Sequence, residues 1–183
     1  MDRLCCDLSL RFFALIRFAF AILTGCLFLF ARPGFTIDVS SYLRDGVELS
    51  QSGNYRAALV QFNQAIEFEP TNALAYQYRG VAKAKYGDFE GSVIDYSKSI
   101  EIDPNNSATY GSRGIAKARI GDLAGAILDF DVAIQLDPDD GNAYFNRGMA
   151  MEMTKDLQRA CLDWNHALEL GNQSSLPFKR KYC

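Results

Sequence analysis

The apolar positions of this chain recur at a fixed interval. Between Val39 and Asn172, large hydrophobic and small residues return every 34 residues in the same columns, with polar residues between them. Tyr42, Tyr76, Tyr110 and Tyr144 form one column, Gly46, Gly80, Gly114 and Gly148 a second, and Phe62, Tyr96, Phe130 and Trp164 a third. Pro70, Pro104 and Pro138 form a fourth, absent from the last unit. A fixed period of this length marks one supersecondary unit stacked on itself. The units are 39–72, 73–106, 107–140 and 141–172, followed by residues 173–183.

Within a unit the spacing predicts two helices back to back. Ala73 to Tyr86 holds no Pro, and Gly80, four residues after Tyr76, lets a second helix approach closely. Gly87-Asp88 then breaks the run: Gly takes the left-handed conformation that ends one helix and Asp caps the next. Gly53-Asn54 and Gly121-Asp122 repeat the device, whereas Lys155-Asp156 is expected to keep only the cap. In the second helices Val93, Tyr96 and Ile100, then Ile127, Phe130 and Ile134, fall on one face. Asp103-Pro104-Asn105-Asn106 ends the unit, since proline disfavours helix in the residue before it.

This unit resembles the tetratricopeptide repeat, whose pattern holds an aromatic, a Gly four later, an Ala, a second large aromatic and a closing Pro. The resemblance implies an all-α, right-handed α-solenoid of four helix-turn-helix units with a groove lined by the first helices. Two columns depart from it. Where Leu is usual the chain has Asp45, Arg79, Arg113 and Arg147, and where Tyr is usual it has Leu49, Lys83, Lys117 and Met151. Arg79, Arg113 and Arg147 are each followed sixteen residues on by Asp95, Asp129 and Asp163, while the unit with Asp45 carries Gln61 there. This correlation predicts structural Arg–Asp pairs across the helices, within a unit or to its neighbour.

The resemblance also places a partner. The groove stripe takes Tyr78, Val81 and Lys85 from the second unit, Ile115 and Arg119 from the third, and Phe145, Asn146, Met149 and Met153 from the fourth. Family members that clamp the acidic C-terminus of heat-shock chaperones use Lys and Asn where this chain has Leu43 and Val47, so that ligand is not expected. A strip of Tyr, Val, Ile, Phe and Met suits an apolar or amphipathic segment. The competing reading is that Phe145 and Met149 pack against the last helices.

Composition then narrows the function classes. The formal net charge is −3, and the first 32 residues carry four Arg against two Asp, so the remainder is more acidic still. No basic excess points to nucleic acid. Catalysis finds no constellation: His166 sits on an outer helix with no paired nucleophile, and Asp95, Asp129 and Asp163 recur with the unit and not as a coordinating cluster. No cofactor or metal is expected. Cys5 and Cys6 are read as free thiols and Cys161 as a small buried apolar residue; an oxidising compartment would permit Cys161 or Cys183 to pair. After Gly171, Ser174 or Ser175 is expected to cap a short helix through Leu176, Phe178 and Tyr182, with Lys179-Arg180-Lys181 as its charged face.

Residues 1–31 differ in kind. Phe18 to Ala31 carries no charge, and extending it back to Phe12 gives 20 residues containing one Arg17, enough for a spanning hydrophobic helix. Arg3, Arg11 and Arg17 before the run keep the N-terminus cytoplasmic and set the repeats across the membrane, close to its surface because the linker is only 32–38. A cleaved signal leaving a secreted or periplasmic chain is one alternative. Another is lipidation at Cys26, since Leu23-Thr24-Gly25-Cys26 resembles the lipobox of bacterial lipoproteins. The resulting expectation is a non-catalytic protein-protein interaction scaffold at a membrane, used in assembling a membrane or envelope complex. The alternative is a self-associating structural homo-oligomer whose groove is filled by its own or a sister chain. An uncleaved anchor keeps the chain in the membrane fraction through a carbonate wash; N-terminal sequencing that finds a soluble chain starting near Arg32, or an acylated one starting at Cys26, overturns it.

Overall fold

The structure, a computed structural model, describes residues 38–183. The expected anchor, with Cys26, and the linker up to residue 37 fall outside the described residues. The described chain is helical throughout: α1 (Val39–Gln51) pairs with α2 (Tyr55–Phe68), α3 (Ala73–Tyr86) with α4 (Phe89–Ile102), α5 (Ser107–Arg119) with α6 (Leu123–Leu136), and α7 (Gly141–Met153) with α8 (Leu157–Glu169). A 3₁₀ turn (Gln173–Ser175) leads into α9 (Leu176–Tyr182). Each helix packs on its chain neighbours, and successive first helices also touch, α1 on α3, α3 on α5 and α5 on α7. That contact pattern makes a solenoid. Among the described residues no helix is long and apolar enough to cross a membrane.

Local sequence fixes each corner. Asn54, Asp88, Asp122 and Asp156 accept the N–H of Ala57, Gly91, Gly125 and Arg159, so every second helix begins on a carboxylate or amide cap. Before each cap the chain turns left-handed, at Gly53, Gly87 and Gly121 and also at Lys155. The cap N–H then reaches back to the carbonyl five residues earlier, Asp88 to Lys83 and Asp156 to Met151 both at 2.9 Å. Lys155 therefore keeps the whole turn and not the cap alone, because that returning hydrogen bond and the packing of α8 hold it there. A non-glycine residue in this conformation costs roughly 1–2 kcal/mol.

The core is built on close approach. Fully buried positions are mostly Ala, including Ala58, Ala65, Ala82, Ala126 and Ala160, so neighbouring backbones come near one another. In each unit the large aromatic of the second helix lies on the Gly of the first. A Cβ added at Gly80 would sit 2.8 Å from the Tyr96 ring, at Gly114 2.8 Å from Phe130, and at Gly148 2.7 Å from Trp164. The aliphatic residues of the same stripe, Val93, Ile100, Ile127 and Ile134, are only partly buried.

The polar seam spans three helices. Arg79 donates from Nε and Nη2 to both carboxylate oxygens of Asp95 at 2.9 and 2.6 Å, and from Nη1 to Asn63 of the preceding unit at 2.7 Å. Arg113 repeats this with Asp129 and Ser97, and Arg147 with Asp163 and Asp131. The pairs thus act both within a unit and to its neighbour. Each guanidinium also lies 5.5–5.6 Å over the ring of the Tyr three residues before it. Lys83 and Lys117 add a second cation to Asp95 and Asp129 at 2.8 and 2.9 Å. Met151 takes that place in the last unit and packs against Trp164, leaving Arg147 as the cation on Asp163. The Asp163 and Asp131 carboxylates together hold the Arg147 guanidinium protonated even more firmly than usual, with Asp163 the larger cause.

The C-terminal segment corrects two expectations. Cys161 is half-buried and joined to Cys183 by a disulfide. The link is possible because α9 folds back along α8, laying Phe178 and Tyr182 on Trp164 at 5.3 and 5.8 Å between ring centroids. Neither Ser174 nor Ser175 caps α9; Ser175 is buried, Pro177 fills the first turn, and the Asn172 side chain instead accepts the Ser174 N–H and donates to the Gly141 carbonyl.

Two outcomes follow from the turns and the seam. Lys155→Gly should stabilise the protein by about 1 kcal/mol in urea unfolding, since glycine carries no penalty there; no gain would show that Lys155 is unstrained. Arg147→Ala should cost about 3–5 kcal/mol by stranding Asp163, and Arg113→Ala distinctly less because Lys117 remains on Asp129. Equal losses, or no loss, in thermal melts would contradict the seam's role.

Candidate functional site

The first helices line up on one face, and between each successive pair lies a cleft. The first, of about 350 Å³, is lined by Val47, Ser50 and Gln51 of α1, Tyr78, Val81 and Lys85 of α3, and Tyr55 and Phe62 of α2. The second, of about 210 Å³, lies between Val81 and Lys85 on one side and Ser112 and Ile115 on the other, with Phe89 and Tyr96 from α4. The third, of about 310 Å³, lies between Ile115 and Arg119 of α5 and Asn146, Met149 and Met153 of α7, over Phe130. Each cleft is floored by the aromatic that covers the unit's Gly, so one side chain closes the helix pair and surfaces the groove.

The chemistry of this row is uniform. Its walls repeat Val47, Val81, Ile115 and Met149 at one position per unit, and no carboxylate lines any of the three clefts. Lys85 and Arg119 are exposed at its rim, with Arg119 also 5.9 Å over the Phe89 ring. Burial pushes the Tyr96 phenol up to about 12, only partly offset by its hydrogen bond with Ser112. The floor of the second cleft is therefore uncharged at neutral pH.

Of the residues expected to form the groove, Tyr78, Val81, Lys85, Ile115, Arg119, Asn146, Met149 and Met153 line these clefts. Phe145 does not. Its ring meets Phe178 edge-on at 5.6 Å, in the cluster of Met151, Ala160 and Trp164 under α9. Met149 touches both that cluster and the third cleft. Tyr55 and Phe89, the first residues of α2 and α4, line the groove without having been expected, because the pattern of first helices gives no sign that the turn delivers the start of the second helix there. The Arg–Asp pairs lie in the seam behind this face and line none of it. His166 is exposed, edge-on to Tyr144 at 4.4 Å. Among the described residues no group of three His, Cys, Asp or Glu side chains could hold a metal ion.

Comparison with known proteins agrees with this architecture. Two family profiles match, one described as TPR repeat over residues 46–87 and one as Tetratricopeptide repeat over residues 130–161. A search by sequence among curated proteins gives no match. Among solved structures, MamA 41-end from Desulfovibrio magneticus RS-1 superposes with a TM-score of 0.70 at 19% identity, covering 75% of this chain and 78% of that one. The first TPR of Spaghetti (RPAP3) bound to the HSP90 peptide SRMEEVD gives 0.59 at 28% identity over 60% of this chain and 89% of that one. The Arabidopsis OM64 TPR domain gives 0.59 at 24% identity, covering 60% and 93%. The two matched segments are repeats of this kind, and the fold of the described residues is the helical solenoid that these structures share.

Proposed function

We propose that the protein is a non-catalytic scaffold that holds an apolar or amphipathic protein segment across the first helices. The observation that carries this reading is the row of three apolar clefts at the repeat spacing, free of carboxylates and rimmed by Lys85 and Arg119. A row of pockets repeated once per unit suits a ligand that is itself regular, with side chains entering at intervals, as an amphipathic helix or extended segment provides. The Spaghetti repeat array, at 28% identity, is bound to a peptide, which supports occupation of such an array by a peptide. Its acidic ligand does not carry over, because Leu43 and Val47 stand where a carboxylate clamp would need polar groups. The apolar run 12–31 supports placing the scaffold at a membrane, with the repeats on its non-cytoplasmic side, where assembly of a membrane or envelope complex would use it.

The test begins with a peptide array of amphipathic segments screened against the protein, followed by titration of the tightest binder. Val81→Glu together with Ile115→Glu places charge in all three clefts and should weaken that binder about a hundredfold or more, with helicity unchanged. Phe145→Ala should lower the melting temperature through the α9 contact and leave affinity within about threefold. Binding unaffected by the double substitution would move the ligand to another surface.

A further inference from the structure

The outer face carries a second periodic feature that neither folding nor the groove uses. Val60, Ile94, Leu128 and Leu162 stand one per second helix at the 34-residue interval, exposed to 56, 68, 65 and 64%. Outward positions of a surface helix are normally polar. The positions three residues further along these helices are polar, as Asn63, Ser97, Asp131 and Asn165. The ridge is aliphatic and more than half exposed in all four units. Four side chains so exposed together present roughly 400 Å² of apolar surface.

We propose that the ridge of one copy seats in the groove of a second copy, so that the chain associates head to tail. The proposal rests on the groove reading above and names its partner. Three observations select this occupant. First, both features repeat once per unit, so a row of aliphatic knobs on the second helices can face a row of clefts of about 350, 210 and 310 Å³ between the first helices. Second, the charges are complementary. Around the ridge Lys98 is already paired with Glu101, Asp131 with Arg147 and Arg159 with Asp156, leaving Glu67, Glu90 and Glu169 exposed against Arg56, with Glu169 near His166 alone. The groove offers Lys85 and Arg119 and no carboxylate. Ridge against ridge would face acid with acid, and an anionic lipid surface would meet the same carboxylates. Third, covering ridge and groove together removes roughly twice the ridge's area, which with the rims approaches the 1,200 Å² or so of a small specific interface. Two different faces in contact make an open chain and not a closed dimer.

The experiment uses the full chain in detergent and two variants. Ile94→Lys with Leu128→Lys disables the ridge, and Val81→Glu with Ile115→Glu disables the groove; circular dichroism and melting curves check that each folds. Sedimentation velocity on the wild type should show species that grow with concentration. Each variant alone should be monomeric, its self-association weakened about a hundredfold or more. An equimolar mixture should form a one-to-one heterodimer that grows no further, since one intact ridge meets one intact groove. A monomeric wild type overturns the proposal, as does association that survives in both variants, which would assign it to the N-terminal apolar run. A groove variant that still dimerises while the ridge variant does not would establish ridge-to-ridge contact instead. If self-association is absent but the peptide titration still collapses on Val81→Glu with Ile115→Glu, this inference fails and the groove reading stands.

Discussion

Everything in this fold depends on one contact made once per unit: a large aromatic of the second helix resting on the glycine of the first. The contact admits no Cβ, since even the least crowded of the four positions would bring it within 2.8 Å of a ring atom. It sets the separation of the two helices, and the alanines beside it preserve that separation along the pair. In the first three units the ring, Phe62, Tyr96 or Phe130, then also floors the cleft between successive first helices, while Trp164 is covered by Phe178 and Tyr182. Helix spacing and groove depth are therefore the same quantity. A substitution that thickened the Gly column would change both.

Units pack on one another through small apolar clusters, as Phe62 on Ala82 and Phe130 on Ala150, and the arginine seam adds directional bonds beside them. One guanidinium ties its own second helix through Asp and the preceding second helix through Asn63, Ser97 or Asp131. Buried ion pairs add little net stability over a packed apolar pair, but they tolerate no sliding, because a bidentate fork has one geometry. Register between units is thus fixed by directional bonds where an ordinary apolar seam would leave it to shape. The first unit shows the alternative: Asp45 is exposed, Gln61 replaces the Asp, and Leu49 packs on the Phe62 cluster.

What could be read from the residues was whatever the period imposes. The columns of Tyr, Gly, aromatic and Pro located helices and turns, and the covariation of Arg with Asp inside one chain located the seam. Breaks in the period were harder. Lys155 lacks the residue type of its column but keeps the conformation, because the returning hydrogen bond from Asp156 to Met151 and the packing of α8 hold it. The Cys161–Cys183 bond depends on α9 folding back, which no local pattern announces. Phe145 has the spacing of a groove residue and is drawn away by Phe178, a partner outside the array. These misses lie at the end of the solenoid, where no neighbouring unit repeats the signal, whereas Tyr55 and Phe89 were missed inside the array because the turn delivers the start of the second helix to the groove.

Repetition also couples faces that look independent. A single unit writes one column to the core, one to the groove and one to the outside, and stacking then repeats all three once per unit. A surface that recurs on such a chain therefore has the same number of steps as any other, whatever their chemistry. An aliphatic column on the outside consequently creates a knob for every cleft on the inside, and solubility depends on the charges interleaved with it. Here, with the Lys98–Glu101 and Arg159–Asp156 pairs set aside, exposed Glu67, Glu90 and Glu169 outnumber Arg56 beside the ridge, while Lys85 and Arg119 stand at the rim of the groove. That distribution repels like faces and attracts unlike ones, so the charge pattern directs the polarity of contact while the apolar columns set its spacing.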